Sequence, residues 1–144
     1  MMLGNGIEEF TKRILSVEKE DKAQFGRLNA AQMICHCTDQ LRMLFGEIKG
    51  LKRQDVDLKK LREMMMRKET VPTVEGLDQL AGDGTKPIDF SKDKDTLLEY
   101  LNRFKNCDDE CQFHFHPYLG DISAEYWEKL VIQHLDHHLN QFGR

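Results

Sequence analysis

No run in this chain approaches the roughly 18 consecutive apolar residues of a membrane-spanning helix. A basic excess is also missing: 21 Lys and Arg stand against 25 Asp and Glu, for a net charge of −4. That balance offers no broad field for nucleic acid or an anionic membrane, so neither is expected as a partner. The N-terminus, "MMLGNGIEEFTKR", lacks a basic start followed by an apolar stretch, and the cytosol is the compartment this predicts. Alternating strand patterns, internal repeats and low-complexity tracts are absent too. At 144 residues, folding buries roughly 70% of the unfolded surface, enough for one core, so a single domain over 1–144 is expected.

Cysteine is scarce as well. The four cysteines, Cys35, Cys37, Cys107 and Cys111, are too few for a disulfide framework. On a helix Cys35 and Cys37 diverge by about 200° and cannot share one ion. Cys107 and Cys111 could share a face, but no partner follows at zinc-finger spacing. Cys37 reads as a core residue and the others as reduced thiols.

What the chain does have is helical periodicity. The first helix is expected from Ile7 to Lys22, with Ile7, Phe10, Ile14, Leu15 and Val17 apolar. A second follows Asn29, an N-cap whose capping box closes at Gln32, and Gly46 and Gly50 weaken its end. Asp57 to Arg67 reads as a short Met-rich helix in which at least one of Met64, Met65 and Met66 must be exposed. From Thr70 to Ser91 the pattern dissolves around two prolines and three glycines, giving a long crossover, either plain surface or a lid. A third main helix spans Lys92 to Asn106. "CQFHFHPYLGD" is an extended connection, and a fourth main helix runs from its Ser123 cap to Gly143. The fold class is therefore all-α, a four-helix bundle.

The last helix spends three histidines within five positions, His134, His137 and His138. With His134 at 0°, Trp127 falls near +20°, Val131 near +60° and His138 near +40°, while Glu125, Lys129 and Asp136 lie opposite. His134 and His138 thus stack one turn apart on the buried stripe, and His137 sits at its rim, on the surface or beside the ligands. Burying two polar rings without a shared partner costs a few kcal/mol, and a divalent ion can be that partner. On the second helix His36 stands at the edge of the buried face, with Gln40 one turn beyond. His36, His134 and His138 make three histidines from two helices, the set that leaves a zinc-type ion an open position. Satisfied core histidines are the alternative. Gln40 and Gln141 point to the same region and are candidates to bond distal ring nitrogens or a ligand. His114 and His116 share one side of an extended stretch and are expected to face solvent beside inward Phe113 and Phe115.

The segments "LNAAQMICHCTDQLRM" and "HPYLGDISAEYWEKLVIQHLDHHLNQFG" resemble the DinB/YfiT-like superfamily of metalloenzyme-like helical proteins, closest to a branch of unknown function. The resemblance covers essentially the whole chain. It implies an up-down-down-up four-helix bundle with a long irregular crossover, and a metal held by a second-helix histidine and an H-x-x-x-H pair. On this sequence these are His36, His134 and His138. It also implies homodimers in many members and, in some, metal-dependent transfer of a low-molecular-weight thiol to an electrophile. Other members are hydrolases or isomerases, and His116 belongs to a recurrent turn without an assigned role.

The expected chemistry is activation of a thiol or water by a divalent metal, zinc or nickel, acting on a small-molecule substrate. Glu47, about three turns beyond His36, is the nearest carboxylate for a general base. The competing expectation is a non-catalytic, stress-related or regulatory dimer with a structural ion or none; Ile132, Leu135 and Leu139 extend the apolar surface of the last helix and suit a second packing partner or a dimer seam. Neutral ligands with a reference pKa of about 6.5 predict loss of metal below roughly pH 6.

Overall fold

The structure is a computed structural model that describes residues 6–50, 57–67, 69, 73–107 and 111–144. Its helices are α1 (Ile7–Ser16), α2 (Ala30–Leu44), α3 (Leu58–Met66), α4 (Phe90–Lys105) and α5 (Ala124–Gln141), with a 3-10 turn at Gln79–Ala81. Among the described residues there is no strand, and no helix is long and apolar enough to cross a membrane. The architecture is an all-helical bundle.

The helix starts follow local chemistry. Asn29 Oδ1 accepts from the Gln32 amide and Gln32 Oε1 from the Asn29 amide, closing the capping box of α2. Ser123 Oγ caps α5 through the Tyr126 amide. Asp57 caps α3, and Asp89 caps α4 two residues ahead of the expected Lys92 start. Met66 is the exposed member of the methionine run.

The first helix stops at Ser16, six residues short of the expected Lys22, for a tertiary reason. Val17 turns extended and is fully buried, and the Lys94 ammonium donates to the Leu15 and Val17 carbonyls at 3.3 and 3.0 Å. A side chain from α4 thus takes the acceptors that another helical turn would have used.

Helices α1 and α2 each pack against both α4 and α5, so α2 and α1 occupy opposite corners of the bundle. Ile7, Phe10 and Ile14 of α1, Met33, Ile34 and Leu41 of α2, Leu97, Leu101 and Phe104 of α4, and Trp127, Val131 and Leu135 of α5 form one contiguous core. Truncating one of the fully buried leucines to alanine is a change of about 2–5 kcal/mol. Because α5 faces two helices, its buried arc is wider than a single stripe and reaches Leu135 and Leu139, each 1% exposed. Those two leucines belong to the chain's own core, so of the two roles expected for this surface they serve the second packing partner and not a dimer seam, while Ile132 is only partly buried against that core.

The crossover between α3 and α4 folds back onto α2. Leu77 is buried, Leu77–Thr85 lies along α2, and the Thr85 amide donates to Asp39 on that helix. Residues 70–72 of the expected crossover lie outside the described residues.

Candidate metal centre

Helices α2 and α5 bring three imidazoles to one point. His134 Nε2 lies 3.0 Å from His36 Nε2 and 3.2 Å from His138 Nε2. One ligand atom from each ring lies within 4.8 Å of the other two. In a tetrahedral zinc site with 2.0–2.1 Å zinc–nitrogen bonds, neighbouring nitrogens sit roughly 3.3 Å apart. The two spacings to His134 are close to that figure.

The far nitrogens decide where the protons are. His138 Nδ1 faces Gln141 Oε1 at 2.7 Å, and His36 Nδ1 faces the Leu77 carbonyl at 3.4 Å. Both partners are acceptors, so Nδ1 carries the hydrogen in each ring and each Nε2 presents a lone pair to the centre. His134 could donate an Nε2 hydrogen to only one of them, and its own Nδ1 is buried without a partner. Three neutral rings therefore cannot satisfy one another, whereas a cation among the Nε2 atoms receives all three lone pairs.

Burial keeps the rings neutral. It lowers the His36 pKa, opposed by the Leu77 carbonyl, Asp39 and the Gln79 side chain. It takes His134 well below the ordinary histidine value, reinforced by the neighbouring histidines, and brings His138 down to about 3. Proton competition for the folded site is accordingly moved below the pH 6 expected from reference values.

The surroundings are built by loops that the helical wheels do not reach. The 17–29 connection bonds α5 through the Gln24 amide and the Gln141 carbonyl at 2.7 Å. Gly26, at φ +83°, passes so close that a Cβ there would lie 2.5 Å from Gln141 Nε2. A glycine here leaves room for the amide that orients His138. Phe25, half-exposed, packs edge-on against His137, which in turn packs against His138.

Of the other expected residues, Gln141 bonds His138, and His137 is half-buried beside it. Gln40 is half-buried and makes no hydrogen bond to the three rings. Glu47 is engaged elsewhere, by Tyr100 and by Arg103 at 2.7 Å. His116 is away from the cluster and opposite in orientation to the expectation: it is 7% exposed, whereas Phe115 is 50% exposed. The alternation breaks because His116 and Gly120 exchange backbone hydrogen bonds, turning the chain. The His116 ring folds inward, and its Nδ1 accepts from the Tyr118 and Leu119 amides at 3.1 and 3.2 Å. His114 remains exposed.

Cysteine contributes nothing to the cluster. Cys35 and Cys37 are buried, and burial pushes the Cys35 thiol up to about 12.

Sequence reasoning missed Asp39, which is fully buried one turn from His36. The signal was an acid inside an otherwise closed helix face, three residues before Arg42, with which it pairs at 3.1 Å.

Fold and site together define an all-helical protein whose three-histidine cluster could hold a metal ion. A family model described as protein of unknown function (DUF1569) matches residues 5–144, and the chain belongs to that family. No curated protein and no solved structure matches it.

Proposed function

We propose that the protein is a metal-dependent enzyme in which His36, His134 and His138 bind a divalent ion, zinc or nickel. The observation that carries this is the convergence of three Nε2 atoms, two of them fixed as lone pairs by acceptors behind the rings. Three protein ligands leave a position for water or a low-molecular-weight thiol, and a bound ion there lowers its pKa enough to supply a nucleophile near neutral pH. The protein's own contribution is to hold the ligand tautomers through Gln141 and the Leu77 carbonyl. Transfer of a thiol to a small electrophile, or hydrolysis, is the reaction class proposed. The four free cysteines support a reducing compartment, the cytosol. The pairing of α1 and α2 with both α4 and α5 supports the DinB-like up-down-down-up arrangement. A homodimer through a surface other than Leu135 and Leu139 is part of the same reading.

One observation favours a second reading. Glu47 is bound to Tyr100 and Arg103, so the nearest expected base is engaged away from the rings, which suits a bundle with a structural ion.

Zinc titration of chelator-stripped protein at pH 7.5 and 6.0 tests the metal site. The expected result is one equivalent bound, with affinity changing less than tenfold between the two values because the rings are already neutral. His138→Ala should abolish stoichiometric binding and His137→Ala should change it less than about twofold. Equal binding by wild type and His138→Ala would refute the site.

A further inference from the structure

The buried Asp39 carboxylate is the most heavily bonded side chain near the cluster. It accepts from Thr85 Oγ1 at 2.6 Å, the Thr85 amide at 2.8 Å, Gln79 Nε2 at 2.9 Å and Arg42 Nη1 at 3.1 Å. Arg42 Nη1 also donates to Thr85 Oγ1 at 2.6 Å. Three of the carboxylate's bonds reach the crossover segment, 40 or more residues away in sequence.

That segment begins at Leu77, whose carbonyl stands behind His36 Nδ1. Gln79 belongs to the same segment, and its Oε1 is buried without a hydrogen-bond partner. The amide is oriented by Asp39: with Nε2 given to the carboxylate, Oε1 is the atom left over. Gly84 closes the arrangement. At φ +74° it lies so near that a Cβ would stand 2.5 Å from Gln79 Nε2 and 2.9 Å from Asp39 Oδ2.

We propose that Asp39 is a positioning residue for the metal centre: through Thr85 and Gln79 it clamps Leu77–Thr85 onto α2, so that the Leu77 carbonyl behind His36 keeps its Nε2 lone pair directed at the ion. This inference rests on the metal site proposed above. Its consequence is that docking of the segment and binding of the ion are coupled. Each fixes the His36 tautomer that the other requires.

The test is zinc affinity by chelator competition, together with the visible absorption of the cobalt-loaded protein. Wild type, Asp39→Asn, Thr85→Val and Thr85→Ser are compared. Asp39→Asn and Thr85→Val are expected to bind zinc 10–100-fold more weakly and to shift the cobalt bands. Thr85→Ser keeps the hydroxyl and is expected within about twofold of wild type. Leu97→Ala, a core truncation away from the site, controls for general destabilisation and should leave affinity and spectrum unchanged. If Asp39→Asn does not fold, the Val and Ser variants of Thr85 carry the comparison. Wild-type affinity and spectrum in folded Asp39→Asn, or in Thr85→Val, would overturn the clamp while leaving the metal site standing. Failure of wild type itself to bind either ion would overturn the metal site, and the clamp's role with it.

Discussion

Two regions of this molecule bury imidazole, and they do so in opposite ways. In the "HPYLG" turn, His116 Nδ1 receives two backbone amides and the ring packs 5.3 Å from Trp127. In the bundle, three Nε2 atoms face one another, and the acceptors found among the described residues lie behind the rings. Both regions look alike as text, an H-x-H and an H-x-x-x-H. What separates them is whether the lone pair already has a donor. Where backbone amides supply it, the histidine completes a turn and needs nothing else. Where lone pairs meet, a cation could accept all of them.

The sharpest way to test the contrast is by pH. Burial lowers the His116 pKa to about 4. Its folded value is depressed, so the stability it contributes is full above the unfolded value of about 6.5. That stability is lost as pH falls from there through 4, by roughly 3 kcal/mol in total. Urea unfolding of metal-free protein between pH 7.5 and 4 should show this loss on top of that from the three cluster histidines, whose values are also lowered. His116→Gln should reduce the slope by its own share without altering metal stoichiometry at neutral pH. A His116 variant that loses its metal while still folded would erase the distinction between the two regions.

On the cluster side, Gln141→Leu removes the acceptor behind His138 and leaves a buried N–H unpaired. Zinc affinity should fall 10–100-fold by chelator competition, whereas His116→Gln leaves it unchanged. The smallest effect is expected at Gly26→Ala. A left-handed alanine is strained by about 1–2 kcal/mol, and the added methyl presses on the Gln141 amide. Thermal unfolding should register that loss together with a weaker zinc isotherm. An unchanged isotherm would separate the 17–29 connection from the site.

Local chemistry made much of this legible before any coordinates. The Asn29–Gln32 box and the Ser123 cap mark helix starts because each cap is a contact over three residues. The 3.6-residue period places His134 and His138 on one side of α5, and the structure brings them to His36. What stayed hidden depends on partners distant in sequence. The end of α1 is set by Lys94, 77 residues beyond Val17. Asp39 takes three of its four bonds from Thr85 and Gln79, which no wheel drawn on α2 contains. His116 turns inward because of a bridge to Gly120 that alternation cannot anticipate. For Leu135 and Leu139 the wheel left a second packing partner and a dimer seam open, and the first holds because α5 touches two helices at once.

The central claim is most directly tested by X-ray absorption at the metal edge of zinc-loaded protein. The expected first shell is three imidazole nitrogens at roughly 2.0–2.1 Å with a non-protein light atom completing it. A shell containing cysteine sulfur, or fewer than three imidazoles, would contradict the account.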